Sequence, residues 1–116
     1  MATIAVQQAA AEGIALALSA AAGGGDSVAN VRGRTIVAVR NGDASPKTVT
    51  IPNVTPTRPA EGPFPAMTVP DIVKVVAAGE TVLIGPIPQA YNDASGNVAL
   101  TYSAVTSVTV GAFEVI

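Results

Sequence analysis

With no histidine and no cysteine in 116 residues, acid–base or metal chemistry in this chain would fall to its carboxylates. There are eight: Glu12, Asp26, Asp43, Glu61, Asp71, Glu80, Asp93 and Glu114. Glycoside hydrolysis needs carboxylates in pairs, yet no two of these lie within five positions of one another. Thiolate chemistry and disulfides are excluded, and the commonest general base and metal ligand is missing. A calcium loop at DASGN (93–97) would need several oxygen ligands where this stretch offers one acid, so a simple Asx turn is expected there. GGG at 23–25 lacks the Lys-Ser/Thr of a phosphate loop and reads as a flexible turn. No catalytic, cofactor-binding or metal-ligating residue is assigned, and the chain reads as a non-enzyme.

Binding chemistry is the remaining option. Four of the six basic residues, Arg32, Arg34, Arg40 and Lys47, fall within sixteen positions. No aromatic residue interleaves with them and Asp43 interrupts them, so a solvated or interface-facing strand is the better reading than a nucleic-acid patch. A net charge of −2 gives no general attraction to nucleic acid or an anionic membrane. No apolar run reaches the roughly 20 residues that cross a bilayer as a helix. The apolar stretch after Glu12 has no Lys or Arg in residues 2–11, so export by a signal peptide is not expected. A sugar-binding module of a surface fibre would require Tyr91 and Tyr102 as exposed platforms.

The elements that would position these residues are strands. Charged residues are only 12% of the chain and apolar residues 49%, so much of the surface is uncharged or held against partners. The length fits one domain, residues 1–116. RTIVAVRN (34–41) alternates Thr35, Val37 and Val39 with Arg34, Ile36, Ala38 and Arg40. With KTVTIP (47–52) it predicts a hairpin across NGDASP. DIVKVV (71–76) and ETVLIGP (80–86) predict a second hairpin, and VLIGPIP is apolar enough to lie centrally or against another subunit. NVALTYS (97–103) puts Val98, Leu100 and Tyr102 on one face. In SVTVGAFEVI, the apolar face switches near Gly111, which predicts a bulge. Five of the nine prolines fall in 53–70, making that segment an extended loop or a projecting arm, with Phe64 and Met67 as anchors.

QAAAEGIALALSAAAGGGD (8–26) is helical by propensity, but Ile14, Leu16 and Leu18 alternate as in a strand. Strands at about 3–7 and 14–20 are therefore expected, with a helix over 7–21 as the alternative. The alanines would permit close approach by a second layer or a neighbouring protomer. Together these features predict an all-β fold: an antiparallel β-sandwich or a small barrel-like jelly roll.

The stretches GDSVANVRGRTIVAVRNGDASPKTVTI (25–51), VKVVAAGETVLIGPIP (73–88) and NDASGNVALTYSAVTSVTVGAFEV (92–115) resemble small tailed-bacteriophage virion proteins described as head decoration, cement or minor capsid proteins. With the Pro-rich stretch between them and a loose match of the N-terminal strand pair, that resemblance covers about 80% of the chain. The family pattern often carries Gly-Asp before the strand where this chain has Val69, Pro70 and Asp71. The resemblance implies a β-sandwich on the capsid surface, commonly a homotrimer, that bridges major capsid subunits, with the host cytoplasm as its place during assembly. No cofactor is implied. The candidate contact residues are Thr3, Ile4, Val6 and Gln8 in the N-terminal segment 1–25. Pro56, Arg58, Pro63, Phe64 and Met67 follow in the Pro-rich segment 53–70, with Arg32, Arg34 and Arg58 as candidate salt-bridge donors to a capsid. A tail or connector component is the alternative within the virion.

Overall fold

A computed structural model of the chain describes residues 2–53, 57–58, 62–63, 67–68 and 70–114. Among them the regular structure is all strand apart from a single 3₁₀ turn at Gln89–Tyr91. The strands are β1 (Ala2–Ile4), β2 (Val6–Gln8), β3 (Ser19–Ala20), β4 (Asp26–Ala29), β5 (Thr35–Asn41) and β6 (Lys47–Ile51). Then come β7 (Thr57–Arg58), β8 (Met67–Thr68), β9 (Ile72–Val76), β10 (Thr81–Ile84), β11 (Asn97–Tyr102) and β12 (Val108–Glu114). They build a β-sandwich. One sheet has the order β1-β4-β11-β6-β9, the other β10-β5-β12-β2 with β3 also on β12, and β7 pairs β8 as a separate ribbon.

Period-two patterning explains the layers, because alternate residues of a strand face opposite sides. Val37 and Val39 of β5, Val49 and Ile51 of β6, Val98 and Leu100 of β11, and Val108 and Val110 of β12 are all buried between the sheets. The core is aliphatic, with Tyr91 as its one aromatic member among the buried described residues. β-Branched side chains suit this role, since their restricted rotamers cost little extra on a pleated surface.

The expected hairpins are corners instead. β5 pairs with β10 and β12, whereas β6 pairs with β11 and β9. β9 and β10 likewise lie in different sheets. From β4 onward the main path alternates sheets at every step except β6 to β9, which pair antiparallel across the Pro-rich segment. The cause is visible at Asn41, which is fully buried. Its Nδ2 donates to Ser45 O at 2.8 Å and Val76 O at 3.0 Å, while its Oδ1 accepts from Asp43 N at 3.0 Å. Its backbone N donates to Glu80 O, and its O accepts from Gly79 N. One side chain thus satisfies backbone groups of two corners that have left their ladders. Lys47 closes the first corner by donating from Nζ to Asp43 Oδ2 at 2.6 Å, which holds the Asp43 carboxyl below its usual range.

Asn30 performs the same task at the opposite end. Its Nδ2 donates to Ile87 O at 2.9 Å and Asn92 Oδ1 at 2.8 Å, and its Oδ1 accepts from Thr35 N at 3.2 Å. Asn92 Nδ2 returns a bond to Asn30 O at 2.8 Å.

Four further expectations are corrected. The sheets are mixed, because β1 runs parallel to β4 and β2 parallel to β12. The 3–7 strand is broken at Ala5, where the chain passes from one sheet to the other. β10 is an edge strand rather than a central one. There is no bulge at Gly111: β12 pairs β5 without a skipped residue from Val108↔Asn41 to Glu114↔Thr35.

Removing the Asn41 side chain takes a partner from three backbone groups at once, the buried Val76 carbonyl among them. Asn41→Ala is expected to lower stability by about 2–4 kcal/mol. Urea unfolding, with the midpoint shifted and the slope unchanged, is the measurement that checks it.

Candidate functional site

Residues 9–18 are neither helix nor ladder strand. Only Ser19 and Ala20 of the expected 14–20 strand pair with β12. The rest lies over the outer face of the β10-β5-β12 sheet. A Cβ at Gly111 would stand 2.5 Å from Ala17 O and 2.9 Å from Leu18 Cδ2. Because a Cβ projects out of the sheet plane, that carbonyl lies above the sheet and cannot join its edge. The neighbouring outer-face residue on β5, Ala38, is also small and fully buried. The Gln7 amide holds the crossing segment: its Oε1 accepts from Ala17 N at 3.0 Å, and its Nε2 donates to Ala15 O at 3.3 Å. Alternation at Ile14, Leu16 and Leu18 thus reflects one face laid on a sheet from outside.

The crossing leaves an apolar groove of about 330 Å³, lined by Ala9, Ile14, Leu16, Leu83 and Phe113. Leu83 is 62% exposed, and Ile14 44%. The outer face of the other sheet presents Val73 and Val75 of β9, both exposed. A second recess of about 310 Å³ is lined by Val6, Ala29, Val31, Arg32 and Glu114. Arg32 Nη1 lies 3.4 Å from Glu114 Oε1, and Val31 beside it is 69% exposed. The backbone here is fixed by Gln89, whose Nε2 donates to Val31 O, and by Gly33, which sits against Gln89 with φ +68°.

The candidate contact residues separate accordingly. Val6 and Arg32 meet in this recess. Gln8 is exposed and pairs in register with Glu114, Thr3 is exposed on the edge strand β1, and Arg34 is exposed at the start of β5. Ile4 is a core residue, 7% exposed, because β1 pairs β4 with Ile4 opposite the fully buried Val28, on the same inward face; it offers no contact surface. Pro63 is exposed. Arg58 and Met67 have described backbones in the β7–β8 ribbon, but their side chains, with Pro56 and Phe64, lie outside the described residues. Sequence reasoning missed Ile14, Leu16, Leu83, Phe113 and Val31 as surface features. The apolar excess of VLIGPIP is the signal that points to Leu83.

Six of the eight carboxylates, Asp26, Asp43, Asp71, Glu80, Asp93 and Glu114, have partners within the fold. Asp26 Oδ2 accepts from Tyr102 Oη at 2.6 Å and Ala22 N at 3.2 Å. Asp71 accepts from Asn53 N, Glu80 from Ala77 N, and Asp93 from Ser95 N and Asn97 N as the Asx turn predicts. Among the described residues no three His, Cys, Asp or Glu side chains gather as a metal site. Tyr91 is buried and donates its hydroxyl to Pro70 O at 2.9 Å. Neither tyrosine therefore offers an open platform to a sugar. Comparison of the chain with protein-family models, curated proteins and solved structures finds no match.

Burial first, and then the hydrogen bond to the Asp26 carboxylate, raise the Tyr102 phenol well above its ordinary value of 10.0. A group raised in the folded state contributes stability below its unfolded pKa, here 10.0, and that contribution is lost as the pH rises further. Tyr102→Phe is expected to cost about 1–2 kcal/mol at neutral pH and to flatten the alkaline loss, read by urea titrations at a series of pH values. Gly111→Ala forces a methyl into Ala17 O and is expected to cost about 1–3 kcal/mol. Limited proteolysis should then cut within 9–18 faster than in the parent protein.

Proposed function

We propose that the chain is a non-enzymatic virion structural protein, a decoration or cement protein that binds the outer surface of a tailed-phage head and bridges neighbouring major capsid subunits. The observation that carries this reading is the placement of large aliphatic side chains outside a small, weakly charged sandwich. Ile14, Leu16, Leu18 and Leu83 lie on one outer face, Val73 and Val75 on the other, and Val31 at an end. Exposed apolar surface of this extent favours burial against partners. The stretches that resemble the decoration proteins also supply the frame: 25–51 holds β4, β5 and β6, 73–88 holds most of β9 with β10, and 92–115 holds β11 and β12.

A capsid lattice repeats its binding site many times, so a modest contact per copy still retains a coat when copies joined to one another hold neighbouring subunits. The recess at Val31 and Arg32 suits such a contact. It sets an exposed aliphatic residue beside an arginine that can exchange Glu114 for a capsid carboxylate.

Heads assembled from the major capsid protein encoded in the same genome provide the test. The protein should cosediment with them at a saturable, fixed ratio, and labelled protein should mark heads rather than tails. Val31→Asp should reduce retention by about tenfold or more, as removal of a central apolar contact does. Absence of retention on intact heads would overturn the reading.

A further inference from the structure

The geometry points to a second copy of this chain as the occupant of the β10 edge, paired antiparallel about a twofold axis through Val82. Among the described residues, the edges of the two sandwich sheets other than β10 are short or carry a charge, and both features discourage pairing. β9 has Lys74 at its centre, on the same side of the strand as the core-facing Ile72 and Val76. β1 and β2 are three residues long and β3 two. β10 is the longest uncharged edge strand among the described residues, Thr81-Val82-Leu83-Ile84, with Leu83 62% exposed.

The hydrogen-bond register fixes what this edge offers. Asn41 N donates to Glu80 O, so Glu80, Val82 and Ile84 are the residues that turn their backbone groups toward β5. On the other side of β5, Gly42 N donates to Ser107 O, in the alternate phase that this assignment requires. The N–H and C=O groups of Thr81 and Leu83 therefore point away from the sheet. A twofold through Val82 sets Thr81 opposite Leu83 of the second copy, and Leu83 opposite its Thr81. These are bonded pairs, closing four backbone hydrogen bonds, and both copies place Thr81 and Leu83 on the outer face.

Self-complementarity is what selects a second copy. No like charges meet in the paired strands, whereas the same operation on β9 would bring Lys74 near its own copy. Across the axis the two Leu83 side chains become diagonal neighbours, within reach of one another. Each continues into the groove of Ala9, Ile14, Leu16 and Phe113, so the two grooves run together. Four strand residues alone bury too little for a stable interface, and the joined grooves supply the remaining apolar area. The resulting contact is isologous and closed.

The pairing does not rest on the capsid reading, it replaces the homotrimer that the resemblance implies with a twofold dimer, and its test is separate. Sedimentation equilibrium of the full chain should give a dimer. Leu83→Lys changes an exposed side chain, and Thr81→Pro removes an edge N–H while leaving the bonds to β5 intact. Each should weaken dimerisation by about tenfold or more, with circular dichroism unchanged for Leu83→Lys. Amide exchange at Thr81 and Leu83 should be slowed by raising the protein concentration in the parent and not in Leu83→Lys. A monomer at high concentration would overturn the inference. So would a trimer or any other oligomer indifferent to Leu83→Lys, or a dimer whose Thr81 and Leu83 amides exchange freely. Loss of capsid retention in Val31→Asp with dimerisation intact would bear on the capsid reading alone.

Discussion

Two buried asparagines carry the architecture. The chain changes sheets at nearly every turn, and each change takes backbone groups out of a ladder and away from bulk water. An unpaired group in that position costs about 1–3 kcal/mol. Asn30 and Asn41 answer with the same pattern at opposite ends, each donating twice through Nδ2 and accepting once through Oδ1. Few other side chains supply donors and an acceptor in so short a reach. Aspartate would lose both donors, and leucine would satisfy none of the groups.

With the ends secured, the interior can be simple. Valine, isoleucine, leucine and alanine fill it almost entirely, so no special shape is needed beyond the alternation of each strand. Covering the outer face of the second sheet follows a different logic. Gly111 and Ala38 lie side by side beneath the crossing of Ala17 and Leu18, and larger residues at either place would lift it. The alanines and glycines of the N-terminal third therefore suit a close second layer, as their small size implies. That layer is incomplete, leaving the groove beside Leu83 and Phe113.

The strands were legible in the sequence where both faces of a segment have a settled fate. Thr35 to Asn41, Lys47 to Ile51 and Asn97 to Tyr102 show their inward residues directly. Pairing was not legible, because the connection between Asn41 and Lys47 has a length that serves a hairpin or a corner equally well. The choice falls to Asn41, whose partners Val76 and Glu80 lie more than thirty residues away in the chain. At Ile14, Leu16 and Leu18, alternation reports an apolar face and is silent on whether a ladder or a sheet surface receives it. Of the candidate contacts, Val6 and Arg32 meet in one recess, whereas Ile4 lies in the core opposite Val28, through a pairing of β1 with β4 that no local residue pattern marks.

The two surfaces proposed to meet partners lie at opposite flanks of one sheet. In the order β10-β5-β12-β2, Leu83 belongs to the first strand, while the recess of Val6, Arg32 and Glu114 gathers around the last two. A copy engaged through β10 therefore keeps its recess open. A twofold pair would present two such recesses pointing away from the shared axis, one for each neighbouring subunit of a lattice. Bridging then requires no large interface on any single copy, because tethering the two recesses makes the second attachment intramolecular. A chain with few charges and a stiff aliphatic frame suits that arrangement, since little side-chain order is lost on contact.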